Sequence, residues 1–217
     1  MTFDINVNEV LRYLGFGRNK PDERTLGLID ECFNEVREIS EPRHTYKRFS
    51  LNITDDDCIE AAGLRMHSCN LSKNLRGCTE VIFMAATLGH GPDRLMNRYV
   101  KLNITKASVL QAVAAAAIED YCNRCQLEIG EKLTAENLYL RPRFSPGYGD
   151  LSLSVQPDFL RTLNADRTVG IVLSEGGVMI PEKSVTAVMG ISRENNRCHI
   201  EGCEACSKKD CIYRRES

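Results

Sequence analysis

The spacing of apolar and polar residues changes several times along the chain, and each change marks an element. Residues 7–14, VNEVLRYL, read as a short amphipathic helix ended by the glycines of GFG. Pro21 opens a longer helix, in which Leu26, Ile29, Phe33 and Val36 recur at steps of three and four and form one apolar stripe. Pro42 stops it. In HTYKRFSLNI the residues Tyr46, Phe49, Leu51 and Ile53 are separated by polar ones, which predicts a strand. TEVIFMAATLG (79–89) is apolar without interruption and closes on glycine, as a strand buried on both faces would be.

PDRLMNRYV follows as a helix with Pro92 in its first turn, and an alanine-rich helix runs from a Thr105 cap to about Gly130. Its small side chains permit close approach of a neighbouring sheet. LYLRPRFSPGYGDLSLSV is extended around a turn, and QPDFLRTL is a short helix. Two strands, near 169–173 and 184–192, then flank a glycine-rich bend. Strands and helices mix without the regular alternation of a doubly wound parallel sheet, which places the chain in the α+β class. After Arg193 the composition turns polar and cysteine-rich, so residues 1–193 are expected to form one α+β domain and 194–217 a metal-binding tail.

Composition narrows the function. A formal net charge of −2 gives no electrostatic reason to expect nucleic acid. The longest apolar run, AVAAAAI, is too short to span a bilayer, and the acidic N-terminus lacks the features of a signal peptide. A cytoplasmic protein is expected. Its ten cysteines are then thiols or metal ligands rather than disulfides.

The stretch RFSPGYGD carries the candidate chemistry. Pro146 and Gly147 make a turn, but a turn requires neither Arg143 nor Tyr148. Arginine presents a planar fork for a carboxylate, tyrosine offers a ring face and a hydroxyl, and turn amides can point at a ligand. The alternative is a surface turn with an incidental arginine and tyrosine. GFGRNK and GHGPDR lack the third glycine of a dinucleotide fingerprint, and there is no P-loop. Cys122 and Cys125, although spaced Cys-x-x-Cys, fall within the long helix and read as small helix residues.

With two further stretches, RFSPGYGD resembles the S-adenosylmethionine-binding activation domain of cobalamin-dependent methionine synthase. The first is LSEGGVMIPEKSVTAVMG, which is similar to that family's Ser/Thr-Glu strand, Met-x-Pro bend and Ser-Val return strand. The second is the helix AVAAAAIEDY, preceded by the strand VIFMAATLG. The resemblance covers about residues 79–192. It implies a twisted, mainly antiparallel sheet bent around a groove. Arg143 would hold the methionine carboxylate, Tyr148, following Gly147, would pack on the ligand, and the backbone at Asp150 would contact it. Glu119 would meet a polar or cationic part of the ligand, the alternative being a solvated helix glutamate. The family's N-terminal ligand-binding aspartate has no assigned position here.

Asp-x-His-x-x-Gly is absent, so the chain lacks the corrinoid-holding signature. Cys-x3-Cys-x2-Cys is absent too, so it does not match the radical S-adenosylmethionine enzymes. A methyl donor without its own acceptor implies an accessory role. The expected partners are a corrinoid-bearing methionine synthase that lacks its own activation domain and an electron-donor protein. Re-reduction of inactive cob(II) is uphill, and methyl transfer from a sulfonium to cob(I) pulls it forward. Other readings are a non-catalytic S-adenosylmethionine sensor, a metal-binding regulator, or an activator of another corrinoid methyltransferase. Cys198, Cys203, Cys206 and Cys211 follow Cys-x4-Cys-x2-Cys-x4-Cys spacing, which suits a [4Fe–4S] cluster or a tetrahedral zinc site.

Overall fold

The computed structural model describes residues 3–17, 19–54 and 57–194. Its elements run α1 (Val7–Tyr13), α2 (Glu23–Ile39), β1 (Arg43–Ile53), β2 (Cys58–Ala61), β3 (Leu64–His67), α3 (Cys69–Asn74) and β4 (Glu80–Thr87). They continue with α4 (Gly91–Leu102), α5 (Ile104–Thr134), β5 (Tyr139–Leu140), α6 (Gln156–Leu163), α7 (Ala165–Thr168), β6 (Val172–Leu173), β7 (Met179–Ile180) and β8 (Ser184–Ser192). Six strands pair in the order β3-β2-β1-β4-β8-β5, every neighbour antiparallel, and β6 and β7 form a separate hairpin. The fold is α+β, as the sequence predicts.

The register of β4 explains its unbroken apolar run. It lies between β1 and β8, and alternate side chains enter two different cores. Ile82, Met84 and Ala86 join Ala187, Met189 and Ile191 of β8 under α1, α2, α4 and α5. Val81, Phe83 and Ala85 face Phe144, Leu151 and the apolar side of α6. On that second face Phe83 stacks on Phe159 at 4.3 Å between ring centroids and meets Phe49 at 5.2 Å.

Helix α5 crosses the first face, and Ala112, Ala114, Ala116 and Ala117 are buried in its middle. The absence of longer side chains there allows the close packing expected from its alanines. Its cap is Asn103, whose side chain accepts from the Lys106 amide at 3.1 Å, rather than the predicted Thr105. Asn103 also ends α4, so one residue serves both helices. Lys106 is buried and donates to the Glu31 and Glu35 carboxylates of α2, each at 2.6 Å, with its ammonium 4.4 Å from the Tyr99 ring centre. The buried cation thus has two anionic partners, which a buried charge requires.

The sequence reading differs from the structure in four strands. It does not predict β2, β3 or β7, and the strand expected over 169–173 is confined to Val172–Leu173. Gly170 adopts φ +76°, and Val169 and Ile171 are buried as a loop below α7. The expected boundary at residue 194, and the tail with Cys198, Cys203, Cys206 and Cys211, lie outside the described residues.

Candidate functional site

Residues 139–144 run along the outer edge of β8, and 145–150 form the turn that follows. β5 pairs there, the Arg141 amide donates to the Gly190 carbonyl at 2.8 Å, and Phe144 exchanges both backbone bonds with Val188. Extended backbone sends adjacent side chains to opposite faces. Phe144 enters the core beneath the sheet, whereas Arg143 turns toward α5. Gly190 admits this packing, because a Cβ there would lie 2.6 Å from Cys78 Sγ and 2.8 Å from a Leu75 methyl.

Arg143 meets Glu119 of α5, its Nη2 3.0 Å from Glu119 Oε2. The arginine side chain is 14% exposed and the glutamate 40%. The second terminal nitrogen, Nη1, is buried with no hydrogen-bond partner. A buried guanidinium nitrogen left idle is costly, and a planar fork half used can still take an anion. The sequence-predicted pair of Arg143 and Glu119 is thus brought together, though 24 residues separate them.

The N-terminal segment adds residues that sequence reasoning did not assign. The Asp4 amide donates to Asp120 Oδ2 at 3.0 Å, which sets this exposed aspartate beside the turn of α5 that carries Glu119. Asp120 is also paired with Arg124 at 2.8 Å. Tyr13 of α1 is half-buried near Glu119, and burial followed by that negative charge pushes its phenol above the ordinary range. No local pattern around Asp4 signals this contact, which joins positions 116 residues apart.

Tyr148 is placed differently. Its ring stands edge-on to Phe144, 5.3 Å away at 78°, and it is 40% exposed. Phe144 and Arg143 leave the backbone on opposite sides, so the edge of the sheet separates the tyrosine's ring contact from the Arg143–Glu119 pair. The turn amides are not free as expected: Gly147 donates to Leu151 O at 2.8 Å and Tyr148 to Ser145 O at 3.0 Å. Gly147 and Gly149 adopt φ +86° and +57°. A side chain at Gly149 would also meet Asn70 Nδ2 at 2.8 Å, so glycine is doubly required there.

Asp150 is engaged through its side chain. Its carboxylate accepts from Ser68 Oγ, from the Cys69 amide at 2.8 Å and from the Asn70 amide at 3.2 Å. Burial opposes ionisation, but these donors outweigh it and hold the carboxyl below the usual aspartate range.

The remaining cysteine pair reads as expected. Cys122 and Cys125 are buried in α5; burial pushes both thiols up, that of Cys125 to about 11. Among the described residues no group of three or more His, Cys, Asp or Glu could hold a metal, and no helix is long and apolar enough to cross a membrane. Clefts of about 380 and 530 Å³ open near the β2–β3 hairpin, beside Glu60, Arg65, Asp158 and Arg161. Those charges are solvated and largely paired with one another, whereas Arg143 is a buried cation that keeps a terminal nitrogen unpaired beside the partly exposed Glu119, so we place the candidate site there.

No family model and no curated protein matches the chain. A solved structure does, the MetH reactivation domain bound to AdoHcy, at a TM-score of 0.60 and 18% identity. The match covers 81% of this chain and 66% of that one. The chain therefore has the fold of the MetH reactivation domain.

Proposed function

We propose that this protein binds S-adenosylmethionine along the β8 edge and supports, in trans, the reductive reactivation of a cobalamin-dependent methionine synthase. One observation carries the reading: on a fold shared with a domain solved with AdoHcy, a buried arginine keeps one guanidinium nitrogen unpaired. In this reading Arg143 takes the ligand's carboxylate. Glu119, partly exposed beside Asp4 and Asp120, then faces its cationic amino or sulfonium group. Tyr148 and the backbone from Gly147 to Asp150, which the sheet edge sets apart from the Arg143–Glu119 pair, border the part of the ligand that reaches past that edge.

The reaction assigned to the pair of proteins balances simply. One electron from a donor protein takes the partner's cob(II) to cob(I). The methyl group of the sulfonium then passes to cobalt, leaving methylcobalamin and S-adenosylhomocysteine. This chain's part is to hold the donor in line and exclude competing reactions. The partner is a corrinoid-bearing synthase without an activation domain of its own. The cysteine tail, as a [4Fe–4S] cluster or a zinc site, is a proposal from spacing alone.

The test mixes the protein with an inactive cob(II) synthase core and a low-potential reductant, and follows the cobalamin spectrum. Methylcobalamin should accumulate only when both this protein and S-adenosylmethionine are present. Binding of S-adenosylmethionine with no spectral change across several corrinoid partners would favour a sensor and overturn the reactivation reading.

A further inference from the structure

The turn that borders the candidate site is fastened at both ends, and the two fastenings differ in kind. On one side Leu151 is 2% exposed and packs in the core with Phe144 and Phe159. On the other, Asp150 reaches across to a segment 80 to 82 residues earlier in the chain. There its carboxylate gathers one hydroxyl and two backbone amides from three consecutive residues, Ser68, Cys69 and Asn70. Ser68 Oγ in turn accepts from the Leu71 amide at 3.0 Å, so the hydroxyl joins the aspartate to the first turn of α3. Asn70 also lies against Gly149, where its Nδ2 would be 2.8 Å from any Cβ. A carboxylate bound by several donors has its rotamer and its backbone position fixed together.

We infer that Asp150 is a positioning residue: its carboxylate bolts the Tyr148–Asp150 turn to Ser68–Asn70 and so holds Tyr148 and the turn backbone ready for the ligand. The inference rests on the reading of this turn as part of the S-adenosylmethionine site. It assigns the acid a role other than touching the ligand. The negative charge is spent on the amides of the 68–70 segment, while the main chain of the turn is left to border the ligand. Pre-organisation of this kind lowers the ordering cost of binding.

Asp150→Asn tests it, since an amide keeps one acceptor oxygen but replaces the other with a donor that faces backbone N–H. Ser68→Ala removes the hydroxyl from the far side without changing any residue of the turn, and Ser68→Thr restores it. By calorimetry, Asp150→Asn and Ser68→Ala should each weaken S-adenosylmethionine binding roughly three- to tenfold, the range for a partly exposed charge-assisted bond. The double variant should lose little more than either single one, because the two act through one contact. Ser68→Thr should bind as the wild type does. In the ligand-free protein, amide hydrogen exchange across 147–151 should rise in the weakened variants while β4 and β8 stay protected.

Two results would overturn the inference. One is wild-type affinity in Asp150→Asn and Ser68→Ala. The other is weakened binding with unchanged exchange in the turn, which would make Asp150 a direct ligand contact. If the wild type binds no S-adenosylmethionine, the ligand reading fails instead, and the exchange data still decide whether Asp150 restrains the turn.

Discussion

Arg143 and Glu119 are joined by a single bond, Nη2 to Oε2 at 3.0 Å, while Arg143 Nη1 stays buried and unpaired. A fork that engages one carboxylate through one tine can accept a second. It can also exchange Glu119 for a ligand carboxylate and leave the glutamate to face a cation. Arg143→Ala is expected to weaken S-adenosylmethionine binding by roughly 2–4 kcal/mol, because a buried ionic contact loses its partner. Lysine should recover only part of that, having no planar two-point grip. Calorimetry decides; equal binding by the alanine variant removes Arg143 from the site.

Phe83 is fully buried where three aromatic rings meet across the second face of the sheet. Phe83→Ala should destabilise the fold by about 3–5 kcal/mol, combining lost transfer energy with an unfilled cavity. Urea denaturation measures it. A loss below 1 kcal/mol would mean that the core collapses around the site.

His44 contributes a pH dependence. It is half-buried, its Nδ1 is 2.9 Å from the Tyr121 hydroxyl, and burial, outweighing the pull of Glu128, holds its imidazole below the ordinary histidine range. The unfolded chain therefore takes up this proton at higher pH than the folded one. Stability from this residue is full above about pH 6.5, the unfolded value, and falls as pH drops through the lower folded value. Melting temperature followed from pH 8 to 5 should decline less steeply for His44→Gln than for the wild type. Parallel curves would show that His44 titrates alike in both states.

Replacing Cys198, Cys203, Cys206 and Cys211 together by serine should leave S-adenosylmethionine binding nearly intact, since the candidate site lies within residues 4–150. It should abolish reactivation by a protein electron donor and spare it with a strong chemical reductant. Anaerobic protein with stoichiometric zinc, no iron and no visible absorption would rule out electron relay through the tail.

What could be read from the chain follows from the range of the interactions. The stripe in α2 and the unbroken run of β4 are local patterns with one cause each, burial on one face or on two, and both elements stand where expected. β2 and β3 were hidden because each has four residues and their Ala62–Gly63 turn places an alanine at positive φ. Such a turn is usually announced by asparagine or aspartate before glycine. Within the site, Arg143 and Glu119 carry side chains whose chemistry suggests a use before any contact is known. Asp150 and Asp4 do not, because what defines them is a donor or acceptor more than 75 residues away.

The buried cysteines give the protein an internal clock. Cys32, Cys122 and Cys125 are all wholly enclosed, and burial raises all three thiols, that of Cys32 to about 12. Thiolate is the reactive form, so near neutral pH these sulfurs are shielded both by access and by charge state. Cys69 and Cys78 are partly open. A maleimide added to native protein therefore modifies the open thiols first and reaches the three enclosed ones only when the helical face separates from the sheet. The slow phase of labelling, read residue by residue in a mass spectrometer, measures how often that separation occurs.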